Sequence, residues 1–375
     1  MDERWTALIA AGGTGGHISP ALAIGAHLQR VEPQVAIRYV CGARPVEQEI
    51  YRKAGIEPHV IEVRQLGRGP LAFVRSILAL RRSIAAARAW VRAERPQVAV
   101  GTGGYVCVPA MMAAAGERVP TLLHEANAVA GRANRWLARR VTAVACAYPE
   151  AAAAFPAAKT RVTGNPVRPE FIGCQRRDAL AKWGLREERL TLLVFGGSQG
   201  ARRLNQIVQE ALPILEDAAG RLGGVQVLWS CGEQNYAALR EPLDGRPAGR
   251  VDVRLVPFIR EMGLAYAAAD LAVGRAGAMT LAELTANAVP ALLVPFPGAV
   301  GGHQHRNARP LAAAGAALVL EEAALDGARL AGEVGRLLAD RARLAAMREA
   351  AQRIGRPRAV EDLVEMIRAL RRERA

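Results

Sequence analysis

Two stretches decide the fold: Leu8–Ile24, LIAAGGTGGHISPALAI, and Leu192–Val208, LLVFGGSQGARRLNQIV. Each runs from an apolar segment through a glycine cluster into a helical pattern, the order of strand, tight turn and helix. The chain around them alternates in the same way. In the first half the strand candidates are Thr6–Ala11, Val35–Cys41, Gln97–Gly101, Thr121–Leu123 and Ala143–Cys146. The second half repeats the pattern at Leu190–Phe195, Val225–Ser230, Val251–Leu255, Leu271–Val273, Ala291–Val294 and Ala317–Leu320. Strands that alternate with helices form parallel sheets covered on both faces. An α/β protein with two doubly wound parallel sheets is therefore expected. Gly164-Asn165-Pro166 interrupts the alternation and places the joint there. The expected domains are 1–164 and 165–354, with a last helix at 355–375 packing back on the first, and with ligands in a cleft at the carboxyl ends of both sheets.

Composition narrows the class. The 375 residues are 51% apolar and 23% charged, which suits two domains with sizeable cores and excludes disorder, collagen and coiled coil. The net charge of +15 favours an anionic partner, and it is unevenly spread. Residues 1–164 hold 21 basic and 11 acidic groups, and eight arginines but only one acid, Glu94, lie from Arg64 to Arg95. The five cysteines are scattered without a CxxC pair, which reads as a reduced, cytosolic set. The opening MDERWTALIAAGG is acidic and turns at once into a strand, unlike a signal peptide. No apolar run reaches the ~20 residues that span a bilayer, so a soluble or peripheral protein is expected.

The glycine turns carry the first chemical signal. Gly12-Gly13-Thr14-Gly15-Gly16-His17 leads from strand to helix, and Gly196-Gly197-Ser198-Gln199-Gly200 does the same in the second half. Such turns let a phosphate approach backbone amides and the positive end of a helix; the plainer reading is a tight turn with no ligand. Neither is a dinucleotide fingerprint. Ile18 stands where the third glycine of GxGxxG belongs, the second strand ends at Cys41-Gly42 with no acid there to hold a ribose hydroxyl, and GxxxxGK[ST] does not occur.

Gly274–Glu283, GRAGAMTLAE, is a third glycine turn entering a helix, with Glu283 about a turn and a half in, where its carboxylate suits two vicinal ribose hydroxyls or is simply an acid favoured by the helix dipole. His303 and His305 resemble a metal pair but have no evident third ligand, so no metal is assigned. His124-Glu125-Ala126-Asn127 ends a strand and reads as a site or as a loop-stabilising network. Leu71–Val91 is amphipathic: Val74, Ile77, Leu78 and Ile84 share a face, with Phe73 and Leu80 beside it, among Arg75, Arg81, Arg82, Arg88 and Arg92. It suits an anionic membrane surface, or else packs on its own sheet. Nucleic acid is disfavoured, since only 5% of residues are aromatic and no stacking platform is visible.

Taken together, GGTGGHISPALAI, GTGGYVCVPA, HEANAVAGRANRWLA, TGNPVR, VFGGSQGARRLN, GRAGAMTLAEL and GHQHRNA, in that order, resemble the MurG family. The resemblance implies a GT-B fold. It also implies inverting, metal-independent transfer of GlcNAc from UDP-GlcNAc to the 4-hydroxyl of MurNAc in lipid I, giving lipid II for the bacterial wall, with no cofactor. The family's place is the cytoplasmic face of the inner membrane, met through the N-terminal domain. Carried over residue by residue, the donor would meet Thr14, Gly15, Gly16, Asn127, Arg168, Ser198, Ile259, Ala278, Met279, Thr280, Leu281, Ala282, Glu283 and Gln304. The acceptor would meet Gly13, Gly15, Gly104 and Tyr105. Ala126, Ala276 and Cys107 depart from the family's usual Gln, Ser and Ser. His17 is the expected base, because an imidazole of pKa ~6.5 needs little tuning at neutral pH, and Glu125 competes for that role. Alternatives are another enzyme using UDP-GlcNAc on the same fold, such as an epimerase or glycolipid synthase, or a scaffold that binds without turnover.

Overall fold

Among the described residues every strand pairs in parallel, in two separate sheets. The computed structural model describes residues 4–373 except Thr14, 64–69, 198–199 and 246–248, and the side chains of 70–74 also lie outside the description. The first sheet holds β1 (Trp5–Ala10), β2 (Val35–Gly42), β3 (His59–Ile61), β4 (Val98–Gly101), β5 (Thr121–Glu125), β6 (Ala143–Cys146) and β7 (Thr160–Val162). Their order is β3-β2-β1-β4-β5-β6-β7. The second holds β8 (Leu190–Phe195), β9 (Val225–Ser230), β10 (Val251–Val256), β11 (Leu271–Gly274), β12 (Ala291–Leu293) and β13 (Ala317–Val319), in the order β10-β9-β8-β11-β12-β13.

Both orders reverse direction beside the first strand of the unit, between β1 and β4 and between β8 and β11. In doubly wound sheets that reversal opens a crevice at the strands' carboxyl ends. The register brings Ala10 opposite both Val40 and Gly101, and Gly274 opposite both Phe195 and Leu293. Each glycine turn thus starts from a strand flanked on both sides. The central strands are buried along their whole length, as near-continuous Val, Ile, Leu and Ala runs require.

Two strands escape the sequence pattern. β3 and β7 have three residues each, lie at opposite edges of the first sheet, and carry half-exposed side chains, so neither produces an apolar run. The division between units also differs from the expectation of a joint at Gly164. One compact unit comprises Met1–Arg168 with Arg358–Ala375, the other Pro169–Pro357. The turn residues stay with the first unit because the carbonyl of Gly164 lies 3.2 Å from His124 Nε2 and Asn165 Nδ2 donates to the carbonyl of Ala126 at 3.0 Å.

The last helix, Ala359–Arg372, packs on the first unit. Its Leu363, Val364, Ile367 and Leu370 enter the core formed by Ile9, Ile18, Ile24 and Leu28. Arg371 stacks 4.5 Å above the Trp5 ring and, with Arg368, pairs with the buried carboxylate of Glu32. Among the described residues no helix is long and apolar enough to cross a membrane.

Candidate functional site

In the first unit the chemistry-bearing residues gather where β1 and β4 part. The turn after β1 carries Gly12 and Gly13 into the helix Gly15–Val31, and the turn after β4 carries Thr102, Gly103, Gly104 and Tyr105. The two turns are tied together. Thr102 N donates to the carbonyl of Ala10 at 3.1 Å, and Thr102 Oγ1 donates to the carbonyl of His17 at 2.7 Å. Gly103 and Gly104 have φ of +114° and +86°, a region that disfavours side chains. A Cβ on Gly104 would overlap the Gly12 carbonyl, and one on Gly103 would stand 2.6 Å from His17 Nδ1. The half-buried His17 ring therefore lies against bare backbone. Gly15 and Gly16 open the helix Gly15–Val31, whose N-terminal end carries partial positive charge. Tyr105 is exposed, and Thr14 lies outside the described residues.

His124, Glu125 and Asn127 follow along β5. His124 is fully buried, and burial pushes its pKa down to about 4, with the nearby His17 a smaller influence in the same direction. A carbonyl only accepts, so Nε2 carries the proton that it donates to Gly164. Nδ1 has no hydrogen-bond partner among the described residues. Glu125, also buried, accepts four bonds: Asn127 N and Nδ2 at 3.0 and 3.2 Å on Oε1, and Gly131 N and Asn134 Nδ2, both at 2.8 Å, on Oε2. This carboxylate organises the loop 126–134. Arg168 is half-buried at the end of the same unit.

Sequence reasoning missed Glu47. Its carboxylate is buried behind the first glycine turn, accepts Gly42 N at 2.8 Å, and would stand 2.5 Å from a Cβ on Gly12. The preceding residue but two, Arg44, donates to the carbonyl of Gly13 at 3.2 Å. Glycines at both Gly12 and Gly42 are the only sequence hint that something large must fit between those strand ends. Cys107 is buried with Sγ 2.9 Å from the Ala10 carbonyl and 2.8 Å from that of Gly103. Burial pushes its thiol up to about 12, so it serves as a protonated packing group.

The second unit gathers its residues at the ends of β8 and β11. Gly196 and Gly197 lead towards the helix Arg202–Arg221, with Ser198 outside the described residues. Arg275, Ala276 and Gly277 lead into the helix Ala278–Ala286. On that helix Ala278, Met279 and Leu281 are buried, while Thr280, Ala282 and Glu283 are half-buried. Glu283 Oε2 accepts the Tyr266 hydroxyl at 2.7 Å. Tyr266 is a second residue that sequence reasoning missed; a tyrosine in an alanine-rich helix gives no pattern of its own.

Gln304 links the turn to its neighbour, since Oε1 accepts both Ala276 N at 3.2 Å and Phe296 N at 2.8 Å. The buried Arg275 is a brace: it donates to the carbonyl of Val294 at 3.1 Å, pairs with Glu322 and lies over the Phe296 ring. The side chain of Ile259 is in the core. His303 and His305 turn to different partners, the carbonyl of Val300 and the carboxylate of Glu321.

Comparison with known proteins follows the same division. Residues 7–146 match the glycosyltransferase family 28 N-terminal domain, and residues 191–363 the glycosyltransferase family 28 C-terminal domain. A protein of Desulforudis audaxviator is 40% identical over 370 residues, covering 97% of this chain and 98% of its own. That relative is named UDP-N-acetylglucosamine--N-acetylmuramyl-(pentapeptide) pyrophosphoryl-undecaprenol N-acetylglucosamine transferase. The crystal structure of Acinetobacter baumannii MurG superposes with a TM-score of 0.78 at 29% identity, over 98% of this chain and 100% of that one. A UDP-GlcNAc 2-epimerase from Neisseria meningitidis, solved with UDP-GlcNAc, gives 0.65 at 13% identity over 97% of this chain and 100% of that one, a likeness of fold alone. The two Rossmann-like units are those of a GT-B protein. Related along nearly its whole length to such a transferase, the chain belongs to the MurG family of glycosyltransferase family 28.

Proposed function

We propose that the protein transfers GlcNAc from UDP-GlcNAc to the 4-hydroxyl of MurNAc in lipid I, releasing UDP and forming lipid II. The observation that carries this reading is the 40% identity, over 97% of the chain, to a transferase of that name. The donor is assigned to Ser198, Ala278, Met279, Thr280, Leu281, Ala282, Glu283 and Gln304, with Ile259 and Leu281 acting through their main chain because their side chains are buried. Thr14, Gly15, Gly16, Asn127 and Arg168 complete it, and Gly13, Gly15, Gly104 and Tyr105 meet the acceptor.

The reaction is a single displacement. The acceptor oxygen attacks the anomeric carbon, its proton passes to His17, and the bond to the UDP oxygen breaks with inversion. Glycine-turn amides and Arg168 stabilise charge growing on the diphosphate. His17 is favoured as base over Glu125, whose two oxygens already accept four hydrogen bonds.

The first unit is assigned to the cytoplasmic face of the bacterial inner membrane, as a peripheral protein active in wall growth, cell shape and division. Support comes from the helix Pro70–Glu94, which buries Ser76, Ser83, Ala87 and Val91 yet leaves Ile77 and Leu78 exposed beside Arg75, Arg81 and Arg82. A basic pocket lined by Arg132, Arg135, Arg139 and Trp136 adds to it. Incubation with UDP-GlcNAc and a lipid I analogue should yield UDP and the disaccharide product in equal amounts. UDP release without that product would sink this reading in favour of another sugar-nucleotide enzyme.

A further inference from the structure

Glu283 is a flexible side chain asked to do a rigid job. Accepting two vicinal ribose hydroxyls requires the carboxylate plane to be fixed before the nucleotide arrives, since freedom frozen on binding weakens it. The structure supplies a fixing group from another helix. Tyr266, on Met262–Ala268, donates its hydroxyl to Glu283 Oε2 at 2.7 Å. The ring that carries this hydroxyl is 2% exposed and stands edge-on to Phe195, with centroids 6.1 Å apart and planes at 73°. Phe195 is the last residue of β8, immediately before Gly196. The base of one glycine turn thus braces the ring that holds the carboxylate at the other.

Resting on the reading of Glu283 as the ribose acceptor, we propose that Tyr266 is a positioning residue for donor binding, which locks the Glu283 carboxylate in the orientation that grips the ribose. The bond uses one of the four acceptor positions of a carboxylate. Burial, then the charge of Glu283, keeps the phenol protonated, so Tyr266 remains a donor throughout the working pH range.

The test measures binding of UDP and 2′,3′-dideoxy-UDP, which lacks both hydroxyls, by calorimetry to the full chain and to Tyr266→Phe. The wild-type protein should prefer UDP by about tenfold or more, the scale of one hydrogen bond to a charged group. In Tyr266→Phe the affinity for UDP should fall about tenfold towards that for 2′,3′-dideoxy-UDP, whose own binding hardly changes. A merely structural role would weaken both ligands alike and preserve their ratio, and that result overturns the proposal. A wild-type protein that binds UDP without preferring it overturns the ribose reading as well. Should Tyr266→Phe melt before binding can be measured, Tyr266→Met, which fills the space without a hydroxyl, gives the same two outcomes.

Discussion

Gly103 presents bare backbone to His17: a Cβ there would lie 2.6 Å from Nδ1 and 2.9 Å from Cε1 of the imidazole. The ring's place is set by what the neighbouring turn lacks. Gly103→Ala adds both the overlap and the cost of a side chain at φ +114°. Turnover should fall by about 10²-fold, the usual effect of displacing a reacting group by an ångström, while the KM for UDP-GlcNAc stays nearly constant. Steady-state kinetics with both substrates varied would check it; an unchanged kcat means that the ring moves aside without consequence.

The two base candidates separate by which property each loses. His17→Ala should cost ~10²–10⁴-fold in kcat and leave the melting temperature close to wild type. Glu125→Gln should do the reverse. It replaces one of the two accepting oxygens with an NH2 that faces either the Asn127 donors or those of Gly131 and Asn134, at ~1–3 kcal/mol of stability. Turnover at saturating substrates, paired with thermal melts, reads both; near-normal kcat in His17→Ala removes it as the base.

His124 makes stability depend on pH. Its folded pKa of about 4 is below the ordinary 6.5, so the unfolded chain binds the extra proton between those values. The contribution is complete above pH 6.5 and is lost as pH falls from 6.5 towards 4, to a total of about 3 kcal/mol. Denaturant melts of His124→Asn should show a shallower decline over that window than wild type. Parallel curves would mean that the other depressed histidines, His27 and His59, account for the slope.

Reversing charge on the helix Pro70–Glu94 should release the protein from anionic vesicles. Each basic residue near such a surface contributes ~1 kcal/mol, so Arg75→Glu, Arg81→Glu and Arg82→Glu combined should weaken binding at least ~100-fold. Arg88 and Arg92 are poorer choices, because both already pair with Glu117. Cosedimentation with and without added salt measures the effect, and turnover on a soluble acceptor should not change. Vesicle binding that survives the triple variant would move the contact elsewhere.

How much was legible follows from what leaves a pattern. The central strands announce themselves because burial on both faces demands unbroken apolar runs, and glycine turns stand out by composition. β3 and β7 did not, being three-residue edges that need only one neighbour. Glu283 was visible because it follows a glycine turn at a fixed distance, whereas its partner Tyr266 is 17 residues earlier on another helix. Glu47 was hidden for a similar reason: a charge in a helix normally faces solvent, and only the packing of Gly12 and Gly42 reveals this one as buried. Glu125 was visible, but the bonds it accepts from Asn134 and the Gly131 amide leave no trace in the sequence.

The helix Ala359–Arg372 returns to a unit that the chain left at Arg168. Every residue of the six-stranded unit precedes that helix in the chain, and without the helix the seven-stranded unit lacks the wall that covers Ile18, Ile24 and Leu28. The lobe that the chain begins first is thus sealed by its last helix, and a chain cut before Ala359 would leave an apolar flank open to water.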